Sequence, residues 1–392
     1  MLRRGRDFIQ LPGPTNVPER IVRAMNRMGS DFAEPTFTRM VRACMEDLRD
    51  IFQTKGEVYP YVAIGHGGWE AVLTNLFAPG DRILIPETGR FSESWRDMAQ
   101  ALGFATETVP GDWRTPVDAD ALETVLRADR DRTIKGVLAV QIETSTGIAH
   151  DIHAIRRAID RADHPALLAV DAVASLAIMD LPMDAWRVDL VLAASQKGLM
   201  MPPGLSFVAA GPRALAAAEE GGAPRKYWDW RARRGEESYM WFYGTPPVQL
   251  LHGLREAIDM IQEEGLPQVF ARHHRLAGTA RAAVSHWAQA GGMAFQAVVP
   301  ESRSASVTAI RFAEGYDPEA VRRLARDRFS VAFGGGLGEL YGHVMRIGHL
   351  GDLNEPMILG ALGVLEACLK LEGVPHMPGG VTAAIDHLAA DR

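Results

Sequence analysis

The sequence predicts an α/β fold, in which a large domain with a mostly parallel sheet flanked by helices is followed by a smaller C-terminal α+β domain. Three observations predict it. Apolar runs of strand length alternate with helically spaced segments between about residues 56 and 245, which is the β-α-β-α pattern of a parallel sheet. Those runs are nearly continuous, as in Leu167-Leu168-Ala169-Val170, so the strands are buried on both faces. After about residue 265 the texture changes to short strands separated by helices.

In order, residues 9–18 are rich in Pro and Gly and read as an extended loop. Helical spacing of Ile21, Val22 and Met25 follows over 19–28, and a second helix over 35–52. A strand is expected at 58–64, a helix at 69–76, a strand at 82–85 and a helix at 92–102. The alternation continues with a strand at 105–109, a helix at 119–129, a strand at 136–140, a helix at 152–162, two strands beginning at Leu167 and Leu190, and another at 205–209. Long helices cover 247–264 and 269–290. Short strands at 306–312 and 343–347 flank a helix at 318–328, and a final helix spans 356–372. The domain reading is an N-terminal loop segment over 1–20, a large domain over 21–265 and a small domain over 266–392.

Of 392 residues, 47% are hydrophobic and 23% charged, enough to bury a large core. The formal charge of −7 argues against a broad affinity for nucleic acid or anionic membranes. Cys44 and Cys368 have neither metal-ligand spacing nor a disulfide framework, and both sit in apolar helical patterns as core residues, which suits a reducing cytoplasm. The basic start Met1-Leu2-Arg3-Arg4-Gly5-Arg6 does not lead into a signal peptide, because Gln10 and Pro12 break the apolar stretch. No segment approaches the roughly 18–20 apolar residues of a membrane helix. A soluble, cytoplasmic protein is expected.

The chemistry concentrates where strands end. Lys197 stands among small residues just after Leu190-Val191-Leu192, 26 positions beyond Asp171, which closes the Leu167 strand. An aldehyde cofactor such as pyridoxal 5′-phosphate needs an amine to hold it and a carboxylate to keep its ring nitrogen protonated. Singly, such residues are more often a solvated lysine and a helix-capping aspartate. Open α/β sheets, however, bind ligands at the carboxyl ends of their strands. Gly65-His66-Gly67-Gly68 follows one strand and precedes a helix, where bare backbone N–H groups favour a phosphate. The same glycines would serve any tight turn, and His66 alone is more often structural. Phe91 follows another strand and either stacks on a ring or packs in the core. In Glu143-Thr144-Ser145-Thr146-Gly147 the hydroxyls either bond a phenolic oxygen or cap a helix.

Taken in order, the glycine turn, the aromatic, Glu143-Thr144-Ser145-Thr146-Gly147, Val170-Asp171-Ala172-Val173-Ala174-Ser175 and Ser195-Gln196-Lys197-Gly198 resemble the class V, fold type I, pyridoxal-phosphate aminotransferases. Within that class the chain is most similar to the serine–glyoxylate and alanine–glyoxylate aminotransferase family. The likeness runs from Leu11-Pro12-Gly13-Pro14-Thr15-Asn16-Val17-Pro18 to Gly373-Val374-Pro375-His376, and includes Arg346-Ile347-Gly348-His349. The resemblance implies Lys197 as the Schiff-base lysine and proton carrier. It implies Asp171 against the ring nitrogen, Val173 and Phe91 on the two ring faces, and Thr144 at the phenolic oxygen. Gly65, His66, Gly67 and Gln196 would lie at the phosphate, with Tyr243 and Thr245 reaching the phosphate of a neighbouring subunit in a homodimer. Arg346 would hold the substrate α-carboxylate in a bidentate pair that lysine cannot reproduce, with Gly13 and Asn16 beside the substrate.

The implied reaction is a ping-pong transfer from a small L-amino acid of the serine, alanine or aspartate type to glyoxylate. A 3-hydroxyaspartate or aspartate donor, or a pyridoxamine or amino acid to pyruvate pair, are alternatives. A lyase or desulfurase lacks its mobile cysteine here, and a non-catalytic cofactor binder has no use for Arg346. Three positions depart from the pattern. Ile64 stands where near relatives carry serine, residues 30–35 (Ser-Asp-Phe-Ala-Glu-Pro) replace Asp-His-Arg-Gly-Pro, and Gln141 replaces the more common asparagine or histidine. The glycines of 333–338 either let the chain pass a small substrate or form a flexible turn.

Overall fold

The structure, a computed structural model, describes residues 7–29 and 31–390; the basic start and Ser30 lie outside the described residues. Its strands are β1 (Phe8–Gln10), β2 (Glu57–Ala63), β3 (Arg82–Pro86), β4 (Ala105–Val109), β5 (Ile134–Val140), β6 (Ile142–Glu143), β7 (Ile148–Ala149), β8 (Leu167–Asp171), β9 (Leu190–Ala194), β10 (Gly204–Ala210), β11 (Met293–Phe295), β12 (Val307–Phe312), β13 (Val331–Gly335) and β14 (Val344–Gly348).

The continuous apolar runs form one seven-stranded sheet, in the order β2-β10-β9-β8-β5-β3-β4. Every residue of β8 and β9 is buried, because helices cover both faces. Val41, Leu48, Leu251 and Ile258 pack on one face with Val170 and Val191, while Val72, Leu73 and Trp95 pack on the other with Leu138 and Leu192. All strand pairs are parallel except those of β10, which runs antiparallel to both β9 and β2. The carboxyl ends of β2, β3, β5, β8 and β9 therefore share one edge, and the segments after them carry Gly65, Phe91, Thr144, Asp171 and Lys197.

The second sheet, β1-β13-β14-β12-β11, is antiparallel apart from the β1–β13 pair. Phe333, Ile310 and Ile347 face helices Leu266–Trp287 and Glu355–Leu371 in a core of their own. Arg346 sits in the middle strand, paired with Gly334 and Ala309.

Several local readings need correction. The glycine turn is the first turn of helix Gly65–Leu76, which begins four residues before the expected Trp69. A side chain at Gly68 would strike Ser206 and one at Gly67 would strike Ala63, so the glycines let this helix lie close on the sheet. The glycines at 334 and 335 are not a turn but the end of β13, since a Cβ at Gly334 would crowd Pro12 and Arg346. Helix Gly380–Ala390 follows the helix expected to be last, and Pro212–Glu220 is a further helix. Both are short, and glycine-rich stretches obscure their period.

Residues 8–10 are a strand rather than loop, and the chain beyond them runs between the two sheets. Gln10 Nε2 donates to the Gly348 carbonyl, Pro12 packs on Gly334, and Thr15 N–H donates to the Gln196 carbonyl at 3.2 Å. A methyl group at Gly348 would run into the Leu11 carbonyl. Gly348→Ala is thus expected to dislodge this segment, lowering stability by about 1–3 kcal/mol, as overpacking commonly does. It should also speed proteolysis at residues 10–14. Unchanged denaturant midpoint and cleavage rate would show that the segment does not hold the two sheets together.

Candidate active site

Lys197 follows β9 in a turn, and its buried side chain turns toward the N-terminal segment, where the amine donates to the Pro12 carbonyl. Gly13, at φ +107°, lies against it. A Cβ there would come within 2.6 Å of Nζ, so both the backbone conformation and the space call for glycine. Burial first, and then the positive charge of Arg346, lower the amine from its usual range to about 8, while Asp171 and Glu143 oppose the shift.

Asp171 ends β8. Trp69 Nε1 donates to Oδ2 at 2.7 Å, and Val173 N–H donates to Oδ1 at 2.7 Å. Burial outweighs both bonds and pushes the carboxyl up to about 6. Lys197 and Asp171 line one cavity of about 380 Å³, together with Gly13, Gly65, His66, Phe91, Thr144, Val173 and Gln196. A Cβ on Gly65 would lie 2.9 Å from a Val173 methyl. Gly65 opens its helix, so its N–H groups are among those with no intrahelical acceptor. His66 stands exposed at the rim with its ring 4.4 Å from that of Trp69. Ile64, 45% exposed, lines the cavity as an apolar wall where a serine would have offered a hydroxyl. Gln196 Oε1 is buried with no hydrogen-bond partner.

Arg346 approaches from the second sheet. Its Nε donates to the Gly335 carbonyl at 2.6 Å and Nη1 to the Thr144 carbonyl at 3.0 Å, which fixes the plane of the guanidinium. Burial lowers its pKa to about 10, against the pull of Glu143. Gly67 lies in the first helical turn against Ala63 and Trp228, and does not line the cavity.

Besides Gly67, four expected residues do not line this cavity within the chain: Arg346, Asn16, Tyr243 and Thr245. Asn16 donates to the Ile9 carbonyl at 2.9 Å and lines a different cleft with Met260 and Asp352. Tyr243 and Thr245 are exposed, and the Tyr243 ring rests edge-on against Tyr227. Gln141, one of the departures, is buried and donates to the Asp180 carbonyl at 3.0 Å.

Two residues escaped the sequence reading. Glu143 is fully enclosed. Its Oε1 accepts from Ser145 N at 3.1 Å and Oγ at 2.6 Å, and its Oε2 from Phe91 N at 3.0 Å and Ser92 N at 3.3 Å. It thereby caps helix Arg90–Ala101 from across the sheet edge and ties Phe91 and Ser92 to Ser145, the neighbour of Thr144. Its own carboxyl is raised by burial. An acid directly after a strand and before small hydroxyl residues was the available signal. The second is Trp69, which read only as the start of a helix.

An amine, a carboxylate and bare helix-terminal N–H groups around one cavity fit the aldehyde, ring nitrogen and phosphate of pyridoxal 5′-phosphate. Among the described residues no cluster of side chains could hold a metal ion.

Comparisons with known proteins agree with this chemistry. The family model for aminotransferase class-V matches residues 12–338. The chain is 42% identical over 381 residues to the L-aspartate–glyoxylate aminotransferase of Paracoccus denitrificans, covering 97% of this chain and 95% of that protein. It is 41% identical to the serine–glyoxylate aminotransferase of Methylorubrum extorquens, covering 98% and 97%. Among solved structures, the ureidoglycine–glyoxylate aminotransferase of Bacillus subtilis superposes with a TM-score of 0.89 at 29% identity, covering 99% of both chains. The pyridoxamine–pyruvate aminotransferase of Mesorhizobium loti also gives 0.89, at 26% identity over 98% and 97%. Two cysteine desulfurase structures, each at 16% identity, share the fold alone. A lysine and an aspartate on one cavity at the strand ends, and relatives matched along nearly the whole chain, place this protein in the class V aminotransferases, with the type I fold of that class.

Proposed function

We propose that the cavity binds pyridoxal 5′-phosphate and that the enzyme moves an amino group from a small L-amino acid of the serine, alanine or aspartate type to glyoxylate, in two half-reactions. The observation that carries this reading is the cavity shared by Lys197 and Asp171, with the charge of Arg346 felt at the amine. When bound, the cofactor supplies the electron sink for the pair released at the substrate Cα.

The chain does the rest. Lys197 anchors the aldehyde and then carries the proton taken from Cα, a task its lowered pKa suits near neutrality. Asp171 keeps the ring nitrogen protonated. Phe91 and Val173 confine the ring between them, and Thr144 bonds its phenolic oxygen. Gly65, His66 and Gln196 receive the phosphate. Arg346 grips the substrate α-carboxylate and so orients the Cα–H bond, while Glu143 keeps Phe91 in register with Ser145, next to Thr144, through its four hydrogen bonds.

The enzyme is proposed to work as a homodimer, with Tyr243 and Thr245 completing the partner's phosphate site. Support comes from the exposed apolar side chains Val62, Ile64, Tyr227, Tyr239 and Tyr243, which a second copy would cover. A cytoplasmic location is proposed from the two unpaired, buried cysteines. The domain reading of 1–20, 21–265 and 266–392 is retained as a proposal; the two separate apolar cores support it, and β1, which pairs into the second sheet, ties the first segment to the last. A second pairing, pyridoxamine or an amino acid with pyruvate, is favoured by the likeness to the pyridoxamine–pyruvate enzyme.

Serine, alanine, aspartate and pyridoxamine are each to be added to cofactor-loaded enzyme without an acceptor. One amino acid is expected to bleach the visible cofactor absorption and glyoxylate to restore it. Bleaching by none of the amino acids would overturn the reading, and restoration by pyruvate alone would select the second pairing. Lys197→Ala should cost at least about a thousandfold in turnover, on the scale of losing a covalent anchor and base. Arg346→Lys should raise the donor KM about 10–100-fold with a smaller change in kcat, since a bidentate charge-assisted pair is worth roughly 1.5–3 kcal/mol. An unaltered KM would reject the clamp.

The pH dependence has a definite sign. Capture of the aldehyde needs the free amine, so the rate at which cofactor-free protein takes up pyridoxal 5′-phosphate should climb through about pH 8 and then level off. A rate still climbing near pH 10 would mean that the amine is not depressed. Cofactor affinity should fall as pH drops through about 6, where Asp171 gains its proton.

A further inference from the structure

The helix that starts with Gly65 also carries, at its fifth position, the side chain that holds Asp171. Trp69 is 1% exposed and its indole N–H meets Oδ2 of Asp171 at 2.7 Å. Its ring stacks on that of Trp95 with centroids 5.7 Å apart and planes inclined by 13°. Trp95 is equally buried, yet its Nε1 has no hydrogen-bond partner. Two adjacent indoles thus fill the same core, and one of them spends its N–H on the carboxylate. Packing alone would be served by a phenyl ring at either position.

Each Asp171 oxygen has one donor, Trp69 N–H on Oδ2 and Val173 N–H on Oδ1. Hydrogen bonds to an ionised carboxylate in an apolar cavity favour the charged form. Remove one of them, and the carboxylate becomes the stronger base in its contest with a ring nitrogen. The Val173 bond comes from the backbone and is insensitive to substitution; the Trp69 bond is the one that evolution or experiment can remove.

We propose that Trp69 is a positioning residue for the transamination, holding the Asp171 carboxylate ionised and oriented so that the shared proton stays on the cofactor's ring nitrogen. This rests on the reading that the cavity binds pyridoxal 5′-phosphate. One helix then serves both ends of the cofactor, with its first backbone N–H groups at the phosphate and the indole at the carboxylate behind the ring.

The test compares Trp69→Phe with Trp95→Phe, which makes the same cut in the neighbouring indole without touching Asp171. Cofactor-free wild type and both variants are titrated with pyridoxal 5′-phosphate labelled with ¹⁵N in the ring, reading affinity and the ¹⁵N chemical shift. Trp69→Phe should bind about tenfold more weakly, as expected for losing one bond to a charged group, and its ¹⁵N signal should move toward the unprotonated position. Trp95→Phe should match the wild type in both. The proposal is overturned if Trp69→Phe matches the wild type, or if Trp95→Phe shifts as far as Trp69→Phe, which would assign the effect to packing. Should Trp69→Phe fail to fold, Trp69→benzothienylalanine keeps the shape and lacks the N–H, and the same two outcomes decide. A wild type that takes up no cofactor overturns the functional reading itself, and is distinguished from the other failures by that control.

Discussion

Four ionisable side chains, two of each sign, are buried at one end of the sheet: Lys197 and Asp171 line the cavity, and Arg346 and Glu143 bond the Thr144 and Phe91 backbone in its wall. Isolating a charge from water costs several kcal/mol, and proteins offset that cost by pairing charges or by neutralising them. Here the shifts show both responses. Burial lowers both Lys197 and Arg346, and Arg346 further disfavours the charge of Lys197, while the carboxylates of Asp171 and Glu143 pull the lysine back. Asp171 and Glu143 are in turn raised by burial and restrained by donors that the fold supplies, a backbone N–H and an indole in one case, the hydroxyl and N–H of Ser145 and a helix start in the other. The cavity is thus poised near neutrality because its charges were assembled from separate strands, so their balance depends on the sheet that brings them together.

That assembly also explains which parts of the site were legible in the sequence. Lys197, Asp171, Phe91, Thr144 and Gly65 each follow a strand whose run could be read directly, and parallel strands necessarily present their carboxyl ends at one edge. Glu143 and Trp69 were missed for a different reason. Their importance lies in what they bond, and a partner 52 or 102 positions away leaves no mark on local spacing. Asn16 was misplaced by the same limit, because a motif fixes a residue's neighbours in the chain but not which cleft its side chain lines.

The fold shows the same division. Long, periodic helices and fully buried strands appeared nearly as expected, since burial on both faces writes itself into composition. The glycine-bearing elements did not. Gly65 to Gly68 looked like a turn, and Gly334 with Gly335 like a flexible loop, because helix and strand propensities count against glycine. In the structure these positions are glycine for want of room. Val173, Ala63, Ser206 and Pro12 occupy the space a side chain would need. Close packing overrides propensity where the site needs its walls near one another.

The N-terminal segment has the largest consequence of this kind. Its strand belongs to the second sheet, its Pro12 carbonyl accepts from Lys197, and Thr15 bonds the backbone beside that lysine. The Lys197 amine of the first sheet and the guanidinium of the second are thereby referred to a common piece of backbone. Arg346 makes the reciprocal link, donating to Thr144 across the boundary. In the proposed reaction a substrate would be held at its carboxylate by one sheet and at its reacting carbon by the other, which requires a separation that does not drift, since misplacement by about 1 Å can cost on the order of a hundredfold in rate. Gly13 is what makes the reference possible. With any larger residue at that φ and that distance, backbone and lysine would be forced apart, and the two sheets would lose the contact that sets their spacing.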